Sequence, residues 1–428
     1  MPSLHWKGKQ ERPLSQASPL AGAQAGSGKG PSLYCETLIH PPGRAAQSEA
    51  TDRLILGDNV EIMAALLPDY EGRVQLIYAD PPFFTNRKYH TRIGRGEDSR
   101  LPRNWVLAEG YHDLWGDVDA YLTFLYERLE LMYRLLSPTG TLYLHLDWHA
   151  DAYGRLLLDE LFGSNHLLNE IIWAYHGPSP IRSAFNRKHD VILAYTKGER
   201  YTFNADAVRV PYDNSTLKTF ASSSKAGFGK VPDLARGKVP EDWWYFPVVA
   251  RLHRERTGYP TQKPEALLDR IILASSNPGD LVADFFCGSG TAPVAAARHR
   301  RRFLAADASW RAIHTTRARL LKLASSPIML EHTASAPWQI QPAAPTNFGL
   351  RRESGKVSLE PREEIIYWEV DPTWDGQLFR SAAQAARPAR DGEIAAWLPL
   401  GEPETGPGAV CVRLVMASGE QFQIRLSS

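Results

Sequence analysis

Apolar residues along this chain follow two alternating rhythms. Short unbroken runs, including Leu54-Ile55-Leu56, Val74 to Ala79, Thr141 to Leu146, Glu170 to Tyr175, Val191 to Tyr195, Leu281 to Ala283 and Phe303 to Ala306, read as buried strands. Between them, apolar residues recur at helical spacing. Asp117 to Leu136 is the clearest case, with Leu122, Leu125, Leu129, Met132 and Leu136 on one face. Val60–Leu67, Tyr153–Phe162, Pro264–Ser275, Ala292–Arg298 and Trp310–Leu323 are the other predicted helices, and Asn59 is the expected N-cap of the first. Strands that alternate with helices predict an α/β fold with a mostly parallel, twisted sheet.

The same pattern divides the chain. Residues 1–50 are rich in Gly, Ala, Ser, Pro and Gln, and Ser15 to Ser32 has almost no large apolar side chain, so a disordered tail is expected. The alternation occupies residues 51–202 and 256–324. Asn86 to Arg103 is a polar insert carrying Arg87, Lys88, Arg92, Arg95, Arg100 and Arg103. Residues 203–255 are irregular, with Lys218, Lys225, Lys230, Arg236 and Lys238 set among Phe220, Phe228, Trp243, Trp244 and Tyr245. That mixture suits either a solvated flap or a surface that neutralises phosphates and stacks bases. Residues 325–358 read as a Pro/Ser/Ala-rich linker. Residues 359–428 hold short alternating runs (Ile365–Val370, Val410–Val415, Gln421–Leu426) and are expected to be a small β-rich accessory module. Trp368, Trp374 and Phe379 are its expected core, and it should fold separately and add no catalytic group.

Composition changes this picture little. The 428 residues carry 49 Lys and Arg against 48 Asp and Glu, so overall charge neither favours nor excludes a nucleic-acid partner. Three scattered cysteines, Cys35, Cys287 and Cys411, do not make a disulfide framework or a zinc site and point to a reducing cytoplasm. No apolar run reaches the roughly 18 residues of a membrane span, and the N-terminus has no signal-peptide core. No membrane association is expected.

Candidate chemistry sits at two strand ends far apart in sequence. Asp80-Pro81-Pro82-Phe83 follows the strand Val74 to Ala79. Consecutive prolines fix an extended turn and remove two donors, which leaves the Asp80 carboxylate and main-chain carbonyls as acceptors. Such a site suits an exocyclic amino group, with Phe83 as a stacking plane. Asp284-Phe285-Phe286-Cys287-Gly288-Ser289-Gly290-Thr291 follows the second strand. Gly288 and Gly290 allow close approach to the backbone, but Pro293 stands where a dinucleotide fingerprint has its third glycine. Asp307 ends the next strand, where an acid accepts hydrogen bonds from ribose hydroxyls. Ligands of open α/β sheets bind at the carboxyl ends of strands, so these ends are expected to form two halves of one cleft. His145, Asp147 and His149 share one side of a strand, but read as a strand end running into a loop; no metal is expected.

In this order the motifs resemble those of the S-adenosylmethionine-dependent DNA amino-methyltransferases of the β class. In that permuted arrangement the Asp-Pro-Pro-Tyr/Phe motif precedes the cofactor motif, with a target-recognition region between them. Tyr259-Pro260-Thr261-Gln262-Lys263-Pro264-Glu265 and Leu56-Gly57-Asp58-Asn59 also look like family elements, and the similarity runs from Leu54 to Leu323. The resemblance implies a Rossmann-like methyltransferase fold with S-adenosylmethionine as cofactor. It implies that Asp80 and a main-chain carbonyl accept the target amino group, that Pro81 and Pro82 shape the pocket, and that Phe83 stacks on a flipped base. Phe286, Gly288, Gly290 and Thr291 would wrap the cofactor, with Asp284 near its amino-acid end and Asp307 on its ribose. Thr261, Gln262 and Lys263 would approach its carboxylate, and Asp58 its adenine ring. The sequence departs from the family at Phe285, where proline is usual, and at Ala308-Ser309 after Asp307.

The resemblance thus implies methylation of the N6 amino group of adenine in double-stranded DNA. Asp in the catalytic motif favours adenine, and N4 of cytosine is the near rival. A related activity on RNA or a protein amide, and a non-catalytic DNA-binding protein that kept the fold, are the alternatives. A homodimer and a cognate restriction endonuclease are further partners that the resemblance allows.

Overall fold

The computed structural model describes residues 4–9, 31–40, 51–94, 105–178, 180–222, 233–250, 253–321, 323, 326–342, 348–388, 393–401 and 409–426. The strands in chain order are β1 (Leu33–Ile39), β2 (Asp52–Leu56), β3 (Val74–Ala79), β4 (Arg87–Gly94), β5 (Trp105–Asp113), β6 (Leu136–Leu146), β7 (Leu167–Ala174), β8 (His189–Thr196), β9 (Trp243–Tyr245), β10 (Leu281–Asp284), β11 (Arg302–Asp307) and β12 (Ile328–Thr333). The C-terminal part adds β13 (Ile340–Gln341), β14 (Gly349–Glu353), β15 (Lys356–Glu360), β16 (Ile365–Trp374), β17 (Phe379–Ser381), β18 (Ala383–Ala386), β19 (Trp397–Pro399), β20 (Ala409–Met416) and β21 (Gln421–Leu426). The helices are α1 (Asn59–Tyr70), α2 (Val118–Leu135), α3 (Asp151–Phe162), α4 (Asn214–Ser222), α5 (Glu265–Ser275), α6 (Thr291–Arg298) and α7 (Trp310–Leu320).

Side chains on successive strand positions go to opposite faces, and here both faces are covered. Ile55, Ile77 and Ala79 join α1, α2 and α3 in one core. Leu54, Leu56, Leu76 and Tyr78 join α5, α6 and α7 in another. Burial on both faces is why these strands read as continuous apolar runs rather than alternating ones. The result is a Rossmann-like three-layer α/β/α arrangement around one large sheet, in the order β17-β1-β12-β2-β11-β10-β3-β6-β8-β7-β9. From β12 to β6 all neighbours run parallel. The pairing of β10 with β3, with Val282 opposite Leu76 and Ala283 opposite Ile77, joins strands about 200 residues apart and creates the switch point.

Several expectations need correction. Asp58, not Asn59, caps α1, accepting from the Val60 N–H at 2.8 Å. The expected N-terminal tail contains a strand, since β1 pairs with β12 and β17. Leu4 to Lys9 also pack on the fold, where Trp6 donates to the Thr123 hydroxyl at 2.8 Å and Lys9 meets Glu160 at 2.5 Å. Ser15 to Gly30 lie outside the described residues. Within the polar insert, Arg87–Gly94 form β4, which pairs antiparallel with β5, and residues 95–103 lie outside the described residues. Within the expected linker, β12 inserts between β1 and β2, burying Ile328 and Leu330 and setting Glu331 bidentate on Arg53 at 2.6 Å.

The C-terminal part is β-rich, with its own core around Trp368, Val370, Val412 and Leu414. It is nevertheless built into the large sheet. β17 extends that sheet beside β1, and buried Phe379 lies under Arg413, which bonds Thr37 and Glu36 at 2.6 Å. Arg317 of α7 lies over the Tyr367 ring at 3.9 Å, with Glu369 at 3.6 Å. The turn between β20 and β21 packs so tightly on α7 that a Cβ on Gly419 would sit 2.5 Å from the Trp310 ring. The expected separate module is therefore tied to the main domain by buried charge pairs and by a shared sheet. Among the described residues no helix is long and apolar enough to cross a membrane.

A chain ended after Ala324 should lose cooperative folding. It would lose Ile328 and Leu330, worth about 1.5–3 kcal/mol each on burial, and leave the Arg53 side of the sheet uncovered, against a total stability of roughly 5–15 kcal/mol. Thermal unfolding followed by circular dichroism checks this. A truncated chain melting within a few degrees of the full chain would contradict it.

Candidate active site

The turn after β3 is built by subtraction of donors. Pro81 and Pro82 have no N–H, and the next three N–H groups, of Phe83, Phe84 and Thr85, all point to one carboxylate, that of Asp113 at the end of β5, at 3.2, 3.0 and 2.7 Å. The Thr85 hydroxyl and the Trp115 indole N–H donate to the same group, each at 2.6 Å. Asp113 is buried, and the turn it holds includes Phe84 at φ 65° and Asn86 at φ 55°, left-handed values that cost non-glycine residues energy. The Pro82 carbonyl accepts from the Tyr121 hydroxyl at 3.0 Å.

Asp80 emerges from this turn with unequal oxygens. Oδ2 accepts from Lys263 Nζ at 2.5 Å, while Oδ1 is buried with no hydrogen-bond partner. Lys263 is itself buried, and its ammonium lies 5.1 Å from the Phe83 ring centre. Phe83 stacks on His145 with ring centres 5.8 Å apart. His145 spends both ring nitrogens locally, on the Tyr78 hydroxyl at 2.7 Å and on Asp190 at 3.1 Å, while His149 turns to Asp147 at 2.9 Å.

The facing half comes from β10 and β11. Asp284 is buried and accepts from the Phe286 N–H at 3.0 Å. Burial pushes its carboxyl well up, and the negative charges of Asp80 and Asp307 add to the effect. The Gly288 N–H donates to Asp307 Oδ2 at 2.9 Å, and the Ser309 N–H to Oδ1 at 2.8 Å. Burial raises Asp307 to about 6 despite those two bonds. Gly288 has φ 49°, and a Cβ there would lie 3.2 Å from the Tyr259 ring. Thr291 donates to the Lys263 carbonyl at 3.2 Å, tying α6 to the Lys263 loop. Gln262 folds that loop, donating to the Glu255 carbonyl at 2.6 Å and accepting from the Thr257 N–H at 2.9 Å. Thr261 sits at φ 55°, with its hydroxyl 3.4 Å from that of Tyr111. Asp58 pairs with Arg128 at 2.8 Å, and Arg128 also donates to Asn59, whose amide reaches the Phe285 carbonyl at 2.9 Å.

The two strand-end turns and the Lys263 loop meet in one cavity of about 670 Å³. Of the candidate residues, Asp80, Pro81, Pro82, Phe83, Asp58, Thr261, Gln262, Lys263, Asp284, Phe286, Gly288, Thr291 and Asp307 line it. Gly290 does not. Its φ of 78° starts α6, and a Cβ there would be 2.3 Å from the Thr316 hydroxyl, so its smallness serves packing against α7. Tyr111 and Trp310 also line the cavity, although no motif singled them out, and so does Tyr259, which opens the Tyr259 to Glu265 element without having been given a role. Asp113 carries no motif signal either; only the aromatic cluster of Tyr111 and Trp115 around it hints at a packed site.

Residues 203–255 present a thinner basic surface than expected. Arg236 bonds Asp206 at 2.8 Å, and Lys238 pairs with Glu241. Trp244 is buried, whereas Trp243 and Tyr245 on β9 are exposed and so is Lys218. Lys225 and Lys230 lie outside the described residues, as do Arg95, Arg100 and Arg103.

The sheet order and the paired strand-end cavity define a Rossmann-like, methyltransferase-type fold with permuted halves. Residues 74–318 match the DNA methylase family, and the chain belongs to it. It is 33% identical over 240 residues to the type II methyltransferase M.HpaI of Haemophilus parainfluenzae, a match covering 56% of this chain and 64% of that protein. It therefore spans a little under two thirds of M.HpaI's length. It is 33% identical over 235 residues to the DNA adenine methyltransferase YhdJ of Escherichia coli K12, covering 54% of this chain and 70% of YhdJ. Among solved structures, the DNA modification methylase TTHA0409 of Thermus thermophilus aligns at TM-score 0.42 and 20% identity, over 65% of this chain and 99% of that one. At that score the likeness carries no functional argument.

Asp113→Ala should leave three main-chain N–H groups without their acceptor and cost about 3 kcal/mol in denaturant unfolding. Amide exchange at Phe83, Phe84 and Thr85 should quicken at least tenfold. Unchanged exchange at these three positions would show that Asp113 does not hold the turn.

Proposed function

We propose that this chain is a site-specific DNA methyltransferase that transfers a methyl group from S-adenosylmethionine to the N6 amino group of a flipped-out adenine. The observation that carries the reading is the Asp80 carboxylate on the cavity wall, whose Oδ1 is buried with no partner beside a turn that offers no N–H from Pro81 or Pro82. A buried carboxylate oxygen left unpaired is costly unless a ligand donor completes it. Family membership and the name of YhdJ support the same reading.

The residues present fit the cofactor. Asp80, Asp284 and Asp307 line one cavity beside Lys263, and burial, with a smaller contribution from the neighbouring Asp80 and Asp307 charges, raises Asp284. A ligand bearing a positive charge would offset that smaller contribution. When bound, S-adenosylmethionine supplies an electrophilic methyl group on a cationic sulfur. Asp307 would accept from the ribose, Gly288 would let the ligand approach the backbone, and Lys263 would face its carboxylate; Thr261, Gln262, Phe286 and Thr291 would complete the wall and Asp58 would lie by the adenine.

The nucleophile needs help because the lone pair of a base amine is delocalised into the ring. Asp80 Oδ1 and a carbonyl of the Pro81–Pro82 turn would accept its two N–H bonds and draw the nitrogen toward a tetrahedral shape. The proton that the nitrogen sheds can leave through Asp80 Oδ1. Positioning and fixed charges supply the acceleration. Phe83 would stack on the flipped base and offset part of the few kcal/mol that flipping costs. Double-stranded DNA in the cytoplasm is the proposed partner. A homodimer and a cognate restriction endonuclease are further proposals that rest on the resemblance alone. N4 of cytosine presents the same amino chemistry and is the second reading.

Asp80→Ala should keep S-adenosylmethionine affinity within a few-fold by calorimetry and lower radiolabelled methyl transfer to DNA at least 100-fold. Retention of a tenth of wild-type turnover would remove Asp80 from its role. The pH dependence is a separate expectation. Asp307, raised to about 6, accepts from the ribose more strongly when ionised, so cofactor affinity should be flat above pH 7 and weaken as the pH falls through 6. Asp307→Asn should flatten that fall. Wild-type binding that does not change between pH 7.5 and 5 would contradict the assignment.

A further inference from the structure

Phe185 is 98% exposed, more than any other large apolar side chain among the described residues. It stands at the tip of the loop between β7 and β8. That loop is tied to itself. The Asn186 side chain accepts from the Ile181 N–H at 3.1 Å and donates to the Ile181 carbonyl at 3.2 Å, and Lys188 Nζ donates to the Pro178 carbonyl at 2.6 Å. Arg187 stacks on Trp148, with its guanidinium 4.0 Å from the ring centre. The loop's own hydrogen bonds hold the segment that displays the phenyl ring to solvent.

The position of the loop identifies the partner. A second cavity, of about 460 Å³, is lined by Thr85, Arg87 and Tyr89 on one side and by Ile181, Asn186 and Arg187 on the other. Thr85 is a residue of the turn that Asp113 holds, so the cavity beside the Phe185 loop lies against the turn that follows Asp80. The surroundings are cationic and aromatic, as phosphate and base contacts require: Arg182 and Arg187 are carried on the loop, and Trp243 and Tyr245 are exposed on β9 beside β7.

We propose that Phe185 is the wedge that enters the base stack when the target nucleotide leaves it, filling the space of the flipped base while Arg182 and Arg187 hold the flanking phosphates. The ring is flat, apolar and fully presented, as an intercalating side chain must be. This rests on the DNA reading above and adds a residue that acts on the duplex rather than on the transferred methyl group.

The test compares wild type, Phe185→Ala and Phe185→Trp on two substrates of the same sequence: an intact duplex and a duplex with the target base mismatched. Phe185→Ala should lower kcat/KM on the intact duplex by about 10- to 100-fold, and the deficit should shrink to about twofold on the mismatched one, where flipping is already cheap. Phe185→Trp should recover most of the activity. A 2-aminopurine at the target position should brighten on wild-type binding and less with Phe185→Ala. Equal activity of Phe185→Ala and wild type on the intact duplex would overturn the wedge. So would an equal deficit on both substrates, which marks a general DNA contact, or a change in oligomeric state, which marks a protein interface. If the wild type methylates neither duplex while still binding S-adenosylmethionine, the DNA reading itself falls, and the wedge with it.

Discussion

The parallel pairing of β10 with β3 is the contact on which the site depends. It sets the carboxyl end of a strand near residue 80 beside one near residue 284, although the chain travels about 200 residues between them. Without it, an acceptor-lined turn and a glycine turn are two unrelated loops. With it, both open into one cavity, and the intervening chain is free to become helices, a hairpin and an outer sheet edge. The Asp80–Lys263 pair spans the same seam from the loop before α5, and Asn59 closes it from the start of α1 through the Phe285 carbonyl.

Four carboxylates, Asp58, Asp80, Asp284 and Asp307, line the cavity with Arg128, Lys263 and Arg311. Burial holds Asp284 well above its usual range and raises Asp307 to about 6. Carboxyls perturbed in this way cluster at functional sites. The Asp113 clamp adds mechanical definition. Prolines alone would fix the backbone direction of the turn, but they leave Phe83 to Thr85 free to fray. One buried carboxylate gathers their N–H groups and holds the left-handed residues that follow. The free Asp80 oxygen is therefore a property of a rigid turn.

Much of this was legible from residue patterns because both sheet faces are buried. Continuous apolar runs mark β3, β6, β10 and β11, and a helical stripe marks α2 to within a residue at each end. The motif residues share a cavity because strand ends gather ligands in any open α/β sheet. Contacts made by composition-poor segments were not legible. Leu33–Ile39 and Ile328–Thr333 complete the sheet, yet each lies beside Gly-, Ala- and Pro-rich sequence that masks a short strand. Gly290 shares the glycine turn of the expected cofactor residues, and nothing in that spacing tells that the Thr316 side chain lies directly behind it. Asp113 lies beyond the polar insert Asn86 to Arg103, at the end of β5, and nothing in its local spacing says that three distant N–H groups will converge on it. The C-terminal strands were read correctly as β, but the buried Arg317, Glu369 and Arg413 contacts that bind them to the main domain are tertiary facts.

Whether an exocyclic amine is the methyl acceptor in this cleft can be read by mass spectrometry of nucleosides digested from the DNA of a methylation-free host expressing the chain. N6-methyldeoxyadenosine at a defined sequence is expected in the wild type. N4-methyldeoxycytidine would preserve the amino chemistry and overturn the adenine assignment. The appearance of 5-methyldeoxycytidine, a ring-carbon product that an acceptor-lined turn has no means to make, or of no methylated base from a chain that binds S-adenosylmethionine, would contradict an amine acceptor outright.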